Sequence, residues 1–292
     1  MPNADSVPCI LTVHAHPDDE SSKGAGSVAR YTDRGARAAL VCCTGGEEGD
    51  VLNPAMDRPE VKENMTEVRR DELALAADII GYDAVHYLGY RDSGMPDSDA
   101  NAHPDCFANA PLDEAVERLV RIIRAERPQV IVTYPDDQQG YQHPDHLRVY
   151  DITVPAWEAA GDAAAFPDAG EPWTPLKLYY TMWSRARVDA LHALYGELEL
   201  KSPFSDAWLK RPSRDERITT KVDVEAWYHR RTNALRAHAT QVDPASPFWF
   251  GLPNDRAAAA YPWDDYILAD SRVDAPVPEA DLFAGIAGMG GM

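Results

Sequence analysis

Residues 9–20 read CILTVHAHPDDE, an apolar run that passes directly into a loop of histidines and acids. The β-favouring run over 9–13 predicts a buried strand. The seven residues that follow it hold two imidazoles and three carboxylates, more than an ordinary turn requires. Ligands of open α/β sheets bind beyond the carboxyl ends of the strands, so this loop predicts a functional site. The structural alternative is a loop that only caps a helix, with Asp18 or Asp19 accepting free N–H groups.

Short apolar runs and helical patterns alternate along the first half of the chain. Further strands are predicted at 38–43, 84–88 and 130–133. Apolar residues at helical spacing predict helices at 24–32, 65–80 and 112–126. Strands that alternate with helices form right-handed βαβ units, which build a mostly parallel sheet with helices on both faces. The predicted fold class is therefore α/β, with a Rossmann-like core.

The pattern loosens after residue 170. A strand at 176–181 and a helix at 224–238 precede a proline-rich tail that carries the aromatic residues Phe248, Trp249, Phe250 and Trp263. We predict a Rossmann-like catalytic core over 1–170 and a smaller C-terminal region over 171–292 that completes the substrate pocket. The stretch 161–175, rich in Gly, Ala and Pro, is the predicted linker.

The net charge excludes several kinds of partner. Lys and Arg number 28 against 48 Asp and Glu, which gives −20 with histidine neutral. Nucleic acids and anionic membranes are bound by clustered basic residues, so neither is an expected partner. No run approaches the roughly 20 apolar residues of a membrane span, and no basic residue precedes Lys23 to begin a signal peptide. We expect a cytoplasmic protein with a small-molecule substrate and four reduced cysteines, while the oligomeric state is not indicated.

The other predicted strands also end in polar loops. The loops read TGGEEGD at 44–50, GYRDSG at 89–94 and YPDD at 134–137, the last followed by GYQHPDH at 140–146. Because the carboxyl ends of parallel strands meet at one edge of a sheet, all these groups are expected at the same edge. Helix capping would have to explain each loop separately, which favours a functional site.

Two His-Pro-Asp elements suggest a metal site. His16 and Asp19 lie three residues apart at a strand-to-helix turn, and His146 approaches from the loop after the fourth strand. Two imidazoles and one carboxylate suit Zn²⁺ with an open fourth position, as in catalytic sites, and Fe²⁺ uses similar ligands. Asp18 is then free to act as general base on a water that the metal activates.

These motifs resemble those of a known family. AHPDDE after the first strand and HPDH after the fourth are similar to the LmbE-like or PIG-L superfamily of zinc-dependent N-acetylglucosaminyl deacetylases. The chain resembles one branch of this superfamily, the amidases of mycothiol S-conjugates, over almost its whole length. The shared motifs are HPDDESSKG at 16–24, TGGEEGDVLNPAMD at 44–57, RDSGM at 91–95, GYQHPDH at 140–146, HATQVDP at 238–244, PWDDY at 262–266 and DLFAGI at 281–286.

The resemblance implies roles for the catalytic residues. It gives the zinc the same three ligands and makes Asp18 the general base. Tyr141 and His143 would polarise the amide carbonyl, and Asp145 would orient His143 and favour its protonated form. The proton for the leaving amine would come from His143 or from the acid form of Asp18.

The resemblance also implies substrate contacts. Asp50, Arg69 and Asp92 would bind a glucosaminyl-inositol, although Arg69 could instead belong to a solvated helix face beside Arg70. Lys23 would help to select a large cysteinyl conjugate over an acetyl group. The implied reaction is hydrolysis of the amide between glucosamine and the N-acetylcysteinyl carboxyl, which yields a mercapturic acid and glucosaminyl-inositol during detoxification.

Several other functions stay open at this level. The same zinc site would serve a biosynthetic amidase that cleaves a mycothiol adduct of a lincosamide-type antibiotic intermediate, or an N-acetylglucosaminyl-inositol deacetylase. A sugar- or conjugate-binding module on the same fold is the non-enzymatic alternative, but it would have no use for Asp18. The GAGSVA stretch at 24–29 fits a dinucleotide fingerprint, yet it begins too far beyond the first strand. The pair His14 and His16 resembles a feature of amidohydrolase barrels. A barrel needs eight βα units, which is more than the pattern of this chain shows.

Overall fold

The computed structural model describes residues 7–138 and 141–292. Its strands are β1 (Cys9–His14), β2 (Arg37–Thr44), β3 (Ala84–Tyr90), β4 (Val130–Thr133), β5 (Lys177–Met182), β6 (Thr220–Asp223) and β7 (Trp263–Ser271). Within the described ranges these strands form one sheet in the order β3-β2-β1-β4-β5-β7-β6. Strands β1 to β5 pair in parallel, whereas β7 is antiparallel to both β5 and β6. The predicted α/β fold class is confirmed.

Helices cover both faces of the sheet. They are α1 (Asp19–Ser22), α2 (Ala25–Asp33), α3 (Pro59–Glu63), α4 (Met65–Ile80), α5 (Leu112–Glu126), α6 (Pro144–Ala159), α7 (Arg185–Glu197), α8 (Asp206–Leu209), α9 (Tyr228–Ala237), α10 (Pro247–Phe250) and α11 (Asn254–Ala260). The predicted helices at 65–80 and 112–126 have the bounds of α4 and α5. Helix α6 was not predicted, and α9 begins later than the predicted helix at 224–238.

Two hydrophobic cores lie on opposite faces of β1. Leu11 packs with residues of α5 and α6, whereas its neighbour Ile10 packs with residues of α2, α4 and α9. Both side chains are fully buried, so the strand reads as a continuous apolar run and not as an alternating one. Gly26 lies where an added Cβ would stand 2.8 Å from the Val224 Cβ, which shows that the small residues at 24–29 permit close packing.

The strand order determines where a ligand can bind. The chain leaves β1 toward β2 on one side, while β4 pairs with β1 on the other side. Loops after β1 and β4 therefore diverge and leave a crevice at the carboxyl edge, the usual binding position in doubly wound sheets. The loop after β1 and the loop after β4 carry the two His-Pro-Asp elements.

The C-terminal part extends the same sheet. Strands β6 and β7 were not predicted, because the proline and aromatic residues around β7 read as an irregular tail. The segment 161–175 is tied to the core by Arg124, whose buried guanidinium donates to six backbone carbonyls, those of Ala159, Ala160, Asp162, Ala165, Phe166 and Gly170. The division of the chain at residue 170 stays a prediction.

Two smaller expectations concern the cysteines and the membrane. Cys9, Cys42, Cys43 and Cys106 are all buried free thiols, as predicted. Over the described residues, none of the helices is both long enough and apolar enough to cross a bilayer.

Candidate active site

A cavity of about 630 Å³ opens at the carboxyl edge of the sheet. Its wall holds all but one of the predicted site residues, namely His16, Asp18, Asp19, Lys23, Asp50, Arg69, Asp92, Tyr141, His143 and His146. The exception, Asp145, is fully buried behind this wall. The loops after four separate parallel strands thus converge on one space, as the sequence predicts.

Three of these residues form a candidate metal centre. Asp19 Oδ2 lies 3.5 Å from His16 Nδ1 and 3.3 Å from His146 Nε2. One ligand atom of each residue lies within 4.8 Å of the others. A tetrahedral zinc ion with bonds of about 2.0–2.1 Å has donor atoms about 3.3 Å apart. The donor set and its spacing therefore fit a single zinc ion.

Local structure explains how these ligands meet. His16 follows β1 and donates its backbone N–H to Asp19 Oδ2 at 3.0 Å, which turns the carboxylate back toward the strand end. His146 lies in the first turn of α6, where His143 is the N-cap and accepts the backbone N–H of Asp145. Residues three apart on a helix share a face, so the rings of His143 and His146 lie 5.5 Å apart beside the cavity.

The Asp145 carboxylate contacts His16 and not His143, whose ring is held by the Asp145 backbone N–H instead. Its Oδ2 lies 3.1 Å from His16 Nε2, and Ser93 holds the same carboxylate through its backbone N–H and its hydroxyl. Asp145 lies two residues after His143 at the start of α6, and residues at that spacing do not face each other. The expectation that Asp145 orients His143 is therefore corrected. A carboxylate on the far nitrogen of a liganding histidine orients its ring and raises its basicity.

The titration of the three histidines follows from these contacts. Burial alone would lower the pKa of His16, but hydrogen bonds to Asp145, Asp19 and Asp92 hold it well above its ordinary value. Burial lowers the pKa of His146 to about 4, which keeps this ring in the neutral form that binds metals. Burial and the charge of His16 also lower the pKa of His143 despite the nearby Asp145, contrary to the protonated form that we expected.

Asp19 is surrounded by positive and polar partners. Lys23 pairs with Asp19 Oδ1, the oxygen turned away from both histidines, and its ammonium lies 5.4 Å from the ring centre of Tyr134. Burial would raise the pKa of Asp19, but Lys23 and His146 hold it well below its usual range. The carboxylate is thus charged, as a metal ligand must be.

Asp18 combines backbone strain with a specific partner. Its φ of 111° lies in the left-handed region that favours glycine, and such strain persists where the surroundings enforce it. Arg69 Nη2 lies 3.1 Å from Asp18 Oδ2, and Arg69 also donates to the carbonyls of Pro17 and Gly46. Arg69 is only 2% exposed, so the solvated-helix alternative is wrong. Burial raises the pKa of Asp18 although Arg69 opposes the shift.

A buried pair beneath Asp18 was missed by the sequence analysis. His238 Nε2 lies 2.7 Å from Glu20 Oε1, and both side chains are fully buried. The other oxygen, Glu20 Oε2, accepts the backbone N–H of Asp18 at 2.9 Å. The HATQVDP motif begins at His238, but nothing in the sequence assigns it a partner 218 residues away.

The remaining predicted residues lie around the cavity mouth. Tyr141 is 53% exposed, and its ring lies 5.2 Å from that of His146. Asp50 is exposed and accepts the Gln241 side-chain amide on its backbone carbonyl. Asp92 is buried and accepts the backbone N–H groups of Glu48 and Gly94. Gly140, which begins the motif at 140–146, lies outside the described residues.

Aromatic residues of the C-terminal region form another part of the lining, which we call the aromatic wall. This wall contains Trp183, Trp208, Phe248 and Trp249. Trp183 stacks on Phe248 at 5.7 Å with an interplanar angle of 6°. Phe248 and Trp249 were predicted to line the site, whereas Phe250 and Trp263 do not line this cavity. Trp183 and Trp208 were missed, although Trp183 directly follows the end of β5 and could have been found at that edge.

Comparisons with known proteins agree with this geometry. Residues 11–157 match the protein family described as PIG-L, GlcNAc-PI de-N-acetylase. The chain is 44% identical to a mycothiol S-conjugate amidase from Streptomyces coelicolor, over 95% of this chain and 97% of that one. It is 37% identical to a 1D-myo-inositol 2-acetamido-2-deoxy-alpha-D-glucopyranoside deacetylase from Streptomyces scabiei, over 96% and 90% of the two chains. The N,N'-diacetylchitobiose deacetylase from Pyrococcus horikoshii shares the fold, with a TM-score of 0.58 at 18% identity over 84% of this chain and 73% of that one.

Proposed function

Because the chain belongs to the GlcNAc-PI de-N-acetylase (PIG-L) family, we propose that it is a zinc-dependent amidase of mycothiol S-conjugates. The chain is a hydrolytic enzyme, as its relatives are. Water adds across the amide between the glucosamine nitrogen and the N-acetylcysteinyl carbonyl. The carbonyl carbon gains the hydroxyl and the nitrogen gains a proton, which gives a mercapturic acid and glucosaminyl-inositol and so removes the conjugated electrophile.

The observation that carries this proposal is that one cavity is lined both by the candidate metal ligands and by a group of aromatic side chains. The candidate ligands lie beside Asp18 and Arg69, and four large aromatic side chains line the same space. A deacetylase needs room for only a methyl group on the acyl side. An apolar wall of this size favours a larger acyl group, as does the 44% identity to an amidase.

The proposed metal ligands are His16, Asp19 and His146. When bound, zinc would polarise the scissile carbonyl and lower the pKa of a water toward neutrality, and Fe²⁺ would suit the same ligands. Asp145 positions His16 from behind, because its carboxylate accepts the proton on the nitrogen that faces away from Asp19. We assign Asp145 this positioning role in place of the one expected toward His143.

Proton transfer is assigned to side chains at the cavity wall. Asp18 accepts the proton of the attacking water, since its raised pKa and its contact with Arg69 suit a base that is held in place. Tyr141 and His143 donate hydrogen bonds to the carbonyl oxygen, a role worth roughly 3 to 4 kcal/mol for each well-placed donor. Of the two candidates for returning a proton to the leaving nitrogen, His143 and the acid form of Asp18, the raised pKa of Asp18 favours the aspartic acid, whereas the pKa of His143 is lowered.

Substrate binding is divided between the two parts of the chain. Asp50, Arg69 and Asp92, on loops and a helix of the core, bind the glucosaminyl-inositol. Lys23 favours the large cysteinyl conjugate over acetyl from its place beside Asp19. We propose that residues 171–292 complete the pocket on the acyl side through the aromatic wall.

The deacetylase is the second candidate, because relatives at 37–40% identity carry that name and would use the same metal site. The test incubates zinc-loaded protein in parallel with a fluorescent mycothiol S-conjugate and with N-acetylglucosaminyl-inositol, and identifies the products by mass spectrometry. We expect the mercapturic acid from the conjugate and a much slower release of acetate. Faster release of acetate would favour the deacetylase, and cleavage of neither substrate, with zinc confirmed bound, would exclude both.

A further inference from the structure

A second cavity of about 340 Å³ adjoins the first one. The two cavities share Trp183, Trp208 and Arg211 in their walls. We call this second cavity the side pocket. It lies between the end of β5, the start of α7 and the segment 208–215, and it adjoins the first cavity at the aromatic wall.

The side pocket is lined by apolar and by charged residues, and we call the charged residues its rim. Met182 and Val188 join the two tryptophans as its apolar lining. Its charged lining residues are three arginines and one aspartate, in a chain whose net charge is −20. Arginines outnumber acids in this lining, so the question for an anionic ligand is which arginine lacks a carboxylate partner.

The other charged groups of the rim already have partners. Arg185 pairs with Asp189 at 2.6 Å, and Arg214 pairs with Asp137. Asp215 accepts the backbone N–H groups of Arg185 and its successor in α7, at 2.7 and 2.9 Å. These contacts hold the rim side chains in place, and the carboxylate partners neutralise most of the positive charge of the rim.

Arg211 differs from its neighbours. Its guanidinium carbon lies 4.9 Å from the ring centre of Trp208, which holds the planar group against the shared wall. Among the residues that the structure describes, no carboxylate forms an ion pair with it. A guanidinium presents its N–H groups in a planar fork that matches a carboxylate, and contact with an aromatic ring leaves those groups available.

We propose that the side pocket binds the S-substituent of the conjugate and favours aromatic substituents that carry an anionic group. This inference rests on the proposed function. The cysteinyl sulfur lies on the acyl side of the scissile amide, and the sugar-binding residues lie on the core loops, so the substituent extends toward the aromatic wall. A cavity of 340 Å³ is near the lower end for small-molecule sites and suits one ring system. The rings of Trp183 and Trp208 contact the faces of the substituent's aromatic ring, and Arg211 pairs with the substituent's anionic group.

The test compares three mycothiol conjugates that differ only in the S-substituent, which is methyl, benzyl or 4-carboxybenzyl. In the zinc-loaded enzyme, kcat/KM is expected to rise in that order. Arg211→Gln is expected to lower the ratio for carboxybenzyl over benzyl at least tenfold, since a hydrogen bond to a charged group is lost and tenfold corresponds to about 1.4 kcal/mol. Trp208→Leu is expected to lower the ratio of benzyl over methyl. Lys210→Gln is the matched control, because it removes one positive charge from an exposed neighbour outside both cavities and is expected to leave every ratio unchanged.

Binding of the same conjugates to zinc-loaded Asp18→Asn protein, followed by tryptophan fluorescence, separates the two proposals. If the wild-type enzyme cleaves all three conjugates and Arg211→Gln leaves the ratio unchanged, the side pocket is refuted and the amidase stands. If the wild-type enzyme cleaves none, the amidase fails, and the pocket then stands or falls on whether Arg211→Gln weakens binding of the carboxybenzyl conjugate relative to the benzyl one. Equal effects of Lys210→Gln and Arg211→Gln would refute the assignment to Arg211.

Discussion

Asp145→Asn isolates the charge that lies behind the candidate metal centre. The Asp145 carboxylate accepts the His16 ring N–H and the Ser93 backbone N–H on one oxygen, and the Ser93 hydroxyl on the other. An asparagine can keep its oxygen on the two N–H groups and donate its amide to the Ser93 hydroxyl, which rotates to accept. The geometry is therefore retained, and only the negative charge is lost.

The expected loss of zinc affinity follows from that difference. A hydrogen bond to a charged group contributes about 1.5–3 kcal/mol and one between neutral groups about 0.5–1.5 kcal/mol. The difference of about 1.0–1.5 kcal/mol corresponds to a roughly 5- to 13-fold weaker zinc affinity, near the lower end of the 10–100-fold range for such partners of metal ligands. Asp145→Ala also removes the orientation of His16 and is expected to approach the roughly 100-fold end.

The assay is a zinc titration of the metal-free protein in competition with a chromophoric chelator. Circular dichroism checks that each variant is folded. Asp151→Asn is the matched control, since it removes a carboxylate from an exposed position on the same helix and is expected to bind zinc as tightly as the wild type. Wild-type affinity in Asp145→Asn, or equal losses in the asparagine and alanine variants, would refute the assignment of Asp145 to His16.

Three further outcomes are expected from the site. Asp18→Asn should lower kcat by about 10²–10⁴-fold with bound zinc unchanged, and a loss of zinc instead would make Asp18 a ligand and not a base. Lys23→Ser should lower the ratio of conjugate to acetyl cleavage, and an unchanged ratio would remove Lys23 from substrate selection. Glu20 holds the pKa of His238 above 6.5, and His238 holds the pKa of Glu20 below 4.5. The free energy of unfolding lost in His238→Gln should thus be greatest between pH 4.5 and 6.5. This loss should shrink as the pH rises through the folded-state pKa of His238, and also as it falls through the folded-state pKa of Glu20. Urea unfolding at several pH values would test this dependence.

Local patterns predicted the core well because its elements are determined by local forces. The helices at 65–80 and 112–126 have apolar stripes and end at Gly81 and Arg127, both in the left-handed conformation that closes a helix. The buried parallel strands read as apolar runs because helices cover both faces of the sheet. Strand β7 was not predicted, since it begins with an exposed tryptophan and two consecutive buried acids, and the strands with which it pairs are β5 and β6. Pairing with distant strands, not local preference, makes that segment a strand.

The three acids at 18–20 show what composition could and could not predict. Their density predicted a functional loop, but each carboxylate has its own cationic partner at a different point of the chain. Asp18 pairs with Arg69, Asp19 with Lys23 and Glu20 with His238. Successive residues at the start of a helix point about 100° apart, so neighbours in sequence separate in direction. A buried carboxylate without a partner would be costly, and so the fold brings Arg69 and His238 from distant elements, whereas Lys23 lies only four residues after Asp19. The topology alone shows which cations Asp18 and Glu20 meet, and that division leaves Asp18 facing the cavity while Glu20 supports it from below.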